Sequence, residues 1–435
     1  MRDSARSDHP GVQRQLDRLA ALSLPEGRLG LETMRALLER LGDPHRALPP
    51  VFHVAGTNGK GSTCAFLRAM LEAQGYRVHA TTSPHLVRYN ERIRLAGQLI
   101  EDGALAEVLA EVLDAAENLA VSFFEVTIAA AFLEFARVPA DACIVEVGLG
   151  GRLDATNVID RPAVCGIASL GIDHERFLLA PEDGVPQEPI VRIAYEKAGI
   201  AKPGVPLVVQ APPAPAVSEI ERIAGETGSP LSMEGRHWDA ADHQQMMFYA
   251  DKTHRNGVDI LHLPLPVLPG RHQFANAGLA IAMLRHQDGL FVTSEAIAAG
   301  LHAARWPARL QRLSTGGPIG RGREVWLDGG HNLDAGAMLA RHFAGRRLHL
   351  VIGMIAGKDP AAIVGSLKES IASSIAVPVP GHDCHPASAF GPRVAAAASV
   401  PEALASLPPD GLPVLIAGSL YLAGEVLRLN GEVPT

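Results

Sequence analysis

Along most of the chain, short continuous apolar runs alternate with longer stretches whose apolar residues recur at helical spacing. VFHVA (51–55), DACIVEV (141–147), PAVCGIASL (162–170) and VPLVVQ (205–210) have the length and continuity of buried strands. ALAEVLAEVLDAAENLA (104–120) and FEVTIAAAFLEFA (124–136) read as helices. So does CAFLRAMLEAQG, which puts Phe66, Leu67, Met70 and Leu71 on one face and stops at Gly75. This alternation predicts an α/β domain with a mainly parallel sheet covered on both faces. Residues 231–266, with MMFYAD and VDILHLPLP, predict short antiparallel strands closing that domain.

The pattern changes at AIAAGLHAARWPARLQRL (296–313), where an Ala-rich helix runs towards Trp306-Pro307 and the proline is expected to interrupt it. EVWLD (324–328), RLHLVIGM (347–354), SSIAVPV (373–379) and PVLIAGS (413–419) then resume the strand signal. A second, smaller α/β domain follows, with 1–298 as the first domain, 299–308 as a hinge and 309–435 as the second. Ligands of parallel sheets sit at the carboxyl ends of the strands, so a site in the cleft of a two-domain enzyme is expected.

Composition narrows the classes. At 435 residues, 47% hydrophobic and 20% charged, the chain has the balance of a soluble globular protein. No apolar run reaches the length of a membrane span. The opening MRDSARSDHPGVQRQLDRL is charged throughout, so no secretory signal is expected, and four scattered cysteines fit a reducing cytoplasm. A net charge of -8 without a dense basic stripe argues against nucleic acid as a partner. An anionic substrate would have to be met by local positive features.

HVAGTNGKGST (53–63) is one such feature. It lies between a predicted strand and a predicted helix, the context of a phosphate-binding loop, although Gly61 separates Lys60 from Ser62. Backbone N–H groups from Gly59 to Ser62 would face an anion at the positive end of the helix. The plainer alternative is a glycine-rich turn. Glu146 closes the run CIVEV, and His174 follows strand 162–170 in the turn SLGIDH. With Ser62, these strand-end residues are placed to converge on one hard cation, and their donors suit Mg²⁺. Each also has an ordinary reading: a buried acid for Glu146, a turn residue for His174. Lys197, late in a helix ending at Gly199, reads as a solvated lysine at the negative end of a dipole. Asp328 and His331 in WLDGGHN follow a strand directly, and Arg309 in WPARLQ lies at the hinge, where a guanidinium can clamp phosphate. HDCHP (382–386) offers two histidines and a cysteine but no partner cluster at zinc spacing; Cys64 reads as packing.

Taken together, the chain resembles the bacterial folylpolyglutamate synthase/dihydrofolate synthase family, within the Mur-ligase type of ATP-dependent amide-forming enzymes. The motifs that carry the likeness are LGLETMRALLERLG (29–42), HVAGTNGKGST, TTSPHLVRYNERIR (81–94), FFEVT, EVGLGGRLDATNVID (146–160), GIDH, EKAGI, LPGRHQFANA (268–277), WPARLQ, LDGGHN, IGMIAGKD (352–359) and GSLY. The resemblance implies an N-terminal P-loop ATPase domain and a smaller C-terminal Rossmann-like domain. It implies ATP and Mg²⁺, with two metal sites, and addition of L-glutamate to dihydropteroate and to reduced folates. The γ-phosphate would pass to the substrate's carboxylate, and the glutamate amine would displace it while domain closure excludes water. A cytoplasmic monomer is expected.

By matching motif, Gly56, Thr57, Asn58, Gly59, Lys60, Gly61, Ser62 and Thr63 would hold the ATP phosphates. Asn276 would face the adenine, and Arg309, Asp328 and His331 would also bind ATP. Ser62, Glu146 and His174 would ligate Mg²⁺, and Lys197 would be the position that this family carbamylates beside the second metal. Lys60, His174 and Lys197 thus form the implied catalytic set. Ser83, Pro84, His85, Phe124, Asp154 and Ala155 would contact the pterin. Departures are the long segment between His174 and Lys197, rich in proline and acidic residues, Ala308 where glycine is commoner, Gly330 where alanine is commoner, and Leu333 in place of proline. The substitutions at 308 and 330 are expected to be mild. A cell-wall Mur ligase, which carries a separate N-terminal domain, is not expected with 55 residues ahead of Gly56. A regulatory NTPase would leave the second domain unexplained.

Overall fold

The computed structural model describes residues 6–22, 30–253 and 258–435. Leu29, at the head of the motif 29–42, and residues 254–257, inside the stretch 231–266, lie outside the described residues. The chain forms two compact units. One holds the chain up to Pro84, Tyr89–Val267 and Arg271–Arg305; the other holds His85–Arg88, Leu268–Gly270 and Trp306–Thr435.

The strands of the first unit are β1 (Val51–Ala55), β2 (Val78–Thr81), β3 (Ile93–Leu95), β4 (Gln98–Leu99), β5 (Ala142–Glu146), β6 (Val164–Ile167), β7 (Leu207–Val209), β8 (Leu231–Met233), β9 (Trp238–His243), β10 (Met246–Asp251) and β11 (Asp259–Leu263). The main sheet runs β4-β3-β2-β5-β1-β6-β7-β8. From β2 to β8 every pairing is parallel; only β3 and β4, at one edge, run antiparallel. All five residues of β1 are buried, as a strand covered on both faces requires. β8 extends the parallel sheet through Leu207–Leu231 register, which corrects the expectation of antiparallel pairing throughout 231–266. The antiparallel part is the separate sheet β11-β10-β9, against which the helix His272–Arg285 packs.

The helix Lys60–Ala73 is buried on more than the single face its sequence suggested. Ten of its residues, Gly61–Leu67 and Ala69–Leu71, are buried, because it lies between the sheet and the helices His272–Arg285 and Ser294–Ala303. At Gly300 a Cβ would stand 2.6 Å from the Met70 backbone nitrogen and Cα, so the two helices touch at backbone distance. Ser294–Ala303 starts on a Thr293 cap and ends before the proline: Ala304 is already extended (φ -54, ψ 135). Pro307 stands beyond the end of the helix and is not what stops it. The helix expected over 104–120 spans Asp102–Ala115, and Asn118, at φ 65, lies in the left-handed region that a right-handed helix cannot include. A Ser122–Glu125 capping box then opens Phe123–Arg137.

The second unit carries β12 (Gln311–Arg312), β13 (Val325–Asp328), β14 (Leu348–Ile352), β15 (Ile371–Ala376), β16 (Ala395–Ala396) and β17 (Val414–Ala417), in the order β12-β13-β17-β14-β15-β16. All pair in parallel except β12. Alternation along the strands separates its two cores. Val414 and Ile416 join Leu327 and Val351 on one face, while Leu415 and Ala417 join Leu350 and Ile352 on the other.

Candidate active site

β1 sits between β5 and β6, so the carboxyl ends of these strands share one sheet edge. Ser62 follows β1, Glu146 ends β5, and His174 lies in the segment after β6. The topology thus brings the three expected metal-binding residues to one edge of the first unit.

The loop after β1 owes its shape to two glycines. Gly56 has φ +149 and a Cβ there would stand 2.8 Å from Ala168 Cβ; Gly59 has φ +87 and its Cβ would stand 2.4 Å from Asn276 Oδ1. Thr57 N and Asn58 N donate to Ser169 O (2.8 and 3.3 Å), and the Thr57 hydroxyl donates to Gly171 O (2.8 Å). The loop after β6 therefore holds the loop after β1. Lys60 Nζ donates to the loop carbonyls of Gly56 (3.0 Å) and Thr57 (3.5 Å). Gly59 supplies no side-chain cap to the helix behind it, and Thr63 Oγ1 is buried with no hydrogen-bond partner among the described residues. First-turn amides without a capping side chain are the feature an anion uses.

Behind the loop runs a buried amide relay. Gln210 Nε2 donates to Asn276 Oδ1 (3.0 Å), Asn276 Nδ2 to Gln273 Oε1 (2.9 Å), and Gln273 Nε2 to Ser62 Oγ (3.4 Å). Asn276, expected near adenine, here braces Gly59. Gln210 and Gln273 were not singled out from sequence. Gln273 stands one helical turn before Asn276 in HQFANA, and that i,i+3 spacing was the available signal.

Glu146 is 4% exposed, and its Oε2 accepts from Ser83 N (3.0 Å), just before the cis Ser83–Pro84 bond. His174 adopts φ 54 ahead of the short helix Glu175–Leu178, and its amide donates to Asp173 Oδ1 (2.7 Å). His85 is buried and belongs to the second unit. Among the described residues no group of three or more His, Cys, Asp or Glu is placed to hold a metal. The HDCHP histidines are engaged elsewhere: His382 Nδ1 with Pro380 O (2.8 Å) and His385 Nε2 with Lys358 O (2.8 Å). Cys64 is buried, and burial pushes its thiol well above the ordinary value, as its packing role requires.

Lys197 is not solvated. It is 4% exposed, and burial pulls its amine down to about 7. The Lys60 charge pushes in the same direction, while Asp173, Asp154 and Glu196 oppose. Close packing of the GLGGR loop seats this helix end. A Cβ on Gly151 would stand 2.8 Å from Glu196 O and 3.0 Å from Lys197 O; one on Gly199 would stand 2.5 Å from Arg152 Cβ. Asp154 turns its carboxylate inward, accepting from Leu149 N (2.8 Å), Thr156 N (3.0 Å) and the Thr156 hydroxyl (2.5 Å). Burial raises its pKa, and these bonds oppose the rise. Ala155 packs in the core with Val158 and Ile159. The Phe124 ring lies against Gly148, where a Cβ would come within 2.3 Å of it.

In the second unit, Arg309 lies between two residues of left-handed backbone, Ala308 (φ 58) and Leu310 (φ 46). Asp328, at the end of β13, holds that turn: its Oδ2 accepts from Leu310 N (2.8 Å) and its Oδ1 from Gly330 N (2.7 Å). Burial raises the Asp328 pKa, and the neighbouring Arg309 charge opposes the rise. His331 Nδ1 donates to Gly329 O (3.2 Å). Gly330 tolerates less than expected, since a Cβ would meet Asp328 Oδ1 at 2.7 Å and Ala335 Cβ at 2.6 Å. For Ala308→Gly, relief of left-handed strain, about 1–2 kcal/mol, opposes the loss of one buried methyl, about 0.8 kcal/mol, and glycine's added chain entropy. The expected net change is within about 1 kcal/mol, read from denaturant unfolding; a larger shift contradicts the balance.

No family model matches the chain. The dihydrofolate synthase/folylpolyglutamate synthase of Escherichia coli K12 is 38% identical over 360 residues, covering 81% of this chain and 78% of that one. A Haloferax volcanii relative, named probable bifunctional folylpolyglutamate synthase/dihydropteroate synthase, is 34% identical over 423 residues, and the match spans 48% of its length. Among solved structures, E. coli FolC in complex with DHPP and ADP superposes with a TM-score of 0.84 at 32% identity, over 98% of both chains. A bifunctional folylpolyglutamate synthase/dihydrofolate synthase with Mn, AMPPNP and L-glutamate bound gives a TM-score of 0.82 at 30% identity, over 98% of this chain and 99% of that one. With likeness on this scale over most of its length, the chain belongs to the dihydrofolate synthase/folylpolyglutamate synthase family.

Proposed function

We propose that the chain is an ATP-dependent ligase that adds L-glutamate to dihydropteroate and to tetrahydrofolates through an acyl phosphate. The observation that carries this reading is the loop of residues 56–63, with Gly59 in left-handed backbone pressed against Asn276, an uncapped helix behind it and Lys60 folded over the loop carbonyls. In support, Glu146 is buried at the same sheet edge, and the buried amine of Lys197 feels the Lys60 charge. In this reading an oxygen of the acceptor's carboxylate attacks the γ-phosphorus of ATP, and ADP leaves. The glutamate nitrogen then attacks the acyl carbonyl and loses a proton as phosphate departs. The loop amides and Lys60 hold the transferring phosphoryl and neutralise its charge.

Ser62, Glu146 and His174 supply one hydroxyl, one carboxylate and one imidazole, a set that fits a hard divalent cation completed by ligand oxygens and water. The chemistry such a cation would supply there is neutralisation of phosphate charge. Lys197, as its carbamate, would offer a second cation an anionic oxygen in place of an ammonium. Arg309, Asp328 and His331 keep an ATP-binding role, and Ser83, Pro84, His85, Phe124, Asp154 and Ala155 a pterin-binding one. The reading includes a monomer working in the cytoplasm; no helix among the described residues is long and apolar enough to cross a membrane.

The test is purified protein with ATP, Mg²⁺ and labelled glutamate, offered dihydropteroate and tetrahydrofolate in parallel. Label enters both acceptors. ATP-dependent incorporation into neither refutes the activity, and incorporation into one alone reduces it to a single-acceptor enzyme.

A further inference from the structure

The segment between His174 and Lys197 carries a carboxylate with an assignable task. Glu182 bridges two arginines that come from different parts of the first unit. Its Oε2 accepts from Arg152 Nη2 (2.7 Å), in the GLGGR loop, and from Arg192 Nη2 (2.7 Å), in the helix Pro189–Ala198. The same two guanidiniums reach Glu196 Oε1 at 2.9 and 3.1 Å, which closes a four-membered ring of alternating charge. Three of its side chains are well covered: Arg192 is 5%, Glu196 6% and Glu182 16% exposed. Both guanidiniums also lie over the Tyr195 ring, at 5.0 and 5.6 Å. Arg192 Nε donates to Leu178 O (3.1 Å), and the Leu178 side chain packs against Gly150. Glu196 immediately precedes Lys197, and its carbonyl accepts from Arg152 N (2.7 Å).

From this ring we infer that Glu182 is a positioning residue for Lys197: it ties the 175–188 segment and the GLGGR loop to the helix end that carries the amine. The inference rests on the reading of Lys197 given above. Two arginines facing two glutamates balance. Without the Glu182 charge, two guanidiniums compete for Glu196 alone, and the 175–188 segment loses its carboxylate tie to the helix and to the GLGGR loop. A displacement of order 1 Å at a site of phosphoryl transfer costs as much as a hundredfold in rate. Substrate contacts made elsewhere are untouched, so the loss falls on kcat and not on KM for ATP.

The experiment compares Glu182→Gln, Glu182→Asp and the exposed Asp183→Asn with wild type, with rates expressed per folded molecule and with hydrogen–deuterium exchange over 189–198 and 60–73. Glu182→Gln is expected to lower kcat about tenfold or more with KM for ATP within about twofold, and to speed exchange over 189–198 but not over 60–73. Glu182→Asp recovers part of the rate, and Asp183→Asn behaves as wild type. If Glu182→Gln keeps kcat within about twofold of wild type, or if its loss vanishes once rates are taken per folded molecule, the positioning role is wrong. Lys197→Ala separates the two failures. With that variant inactive and Glu182→Gln normal, only the present inference falls; with Lys197→Ala at full turnover, the reading of Lys197 falls first and this one with it.

Discussion

Lys60→Ala will lose about a thousandfold in ATP-dependent glutamate incorporation with either acceptor, the upper range for removing one charge-stabilising donor. The amine now rests on the carbonyls of Gly56 and Thr57 in a half-buried loop, so its removal leaves no buried charge behind. The unfolding midpoint should therefore hardly move, and the loss will belong to phosphoryl transfer. ADP release measured with both acceptor and glutamate present is the readout. Normal turnover by this variant would falsify the role given to the loop. A secondary effect follows from the electrostatics. The Lys60 charge helps to keep the Lys197 amine low, so its removal lets that amine rise.

Replacing Lys197 by methionine should reduce turnover by roughly a hundredfold while stabilising the protein at mildly acidic pH. The stability sign follows from linkage. The buried amine titrates at about 7, against 10.5 for an ordinary lysine. Below pH 7 both states hold the proton, and the full cost of burying the charge weighs on the folded state. Between about 7 and 10.5 the unfolded chain binds the extra proton, so this group's penalty fades as pH rises. The gain from Lys197→Met is thus largest near pH 6 and smaller at pH 9, which thermal unfolding at the two values measures. A gain that fails to shrink at pH 9 contradicts the burial argument. Carbamate formation carries the same sign, because nitrogen must shed its proton before it attacks CO₂. At fixed dissolved CO₂, the carbamate signal from ¹³C-labelled bicarbonate in the ligand-free wild type should grow from pH 6 to pH 8.

The parts of the site that could be read directly were those set by local sequence. Apolar runs located β1, β5 and β6, whose carboxyl ends share one sheet edge. The glycines of the loop announced a backbone that no other residue adopts easily, and Gly56 and Gly59 have that backbone. What escaped depends on neighbours distant in the chain. Lys197 looked solvated because a helix terminus usually is; its burial comes from the GLGGR loop, more than forty positions away, pressing Gly151 onto its carbonyl. β2, β3 and β4 drew no notice, since strands of two to four residues with an arginine among them carry little hydrophobic pattern. The helix His272–Arg285 is buried on nearly all sides, so it shows almost no amphipathic contrast to detect. Asp154 also shapes its own loop, accepting from Leu149 N and the Thr156 hydroxyl, a task its motif did not announce.

The backbone-to-backbone seat of Gly300 on Met70 bears on how this enzyme can change over evolutionary time. A helix clamped so tightly cannot shift to suit a bulkier nucleotide or a new phosphate geometry without opening several interfaces at once. Change is expected to enter instead through the connections between strands and helices. The stretch ahead of Lys197 lies apart from that seat, so changes there leave it in place.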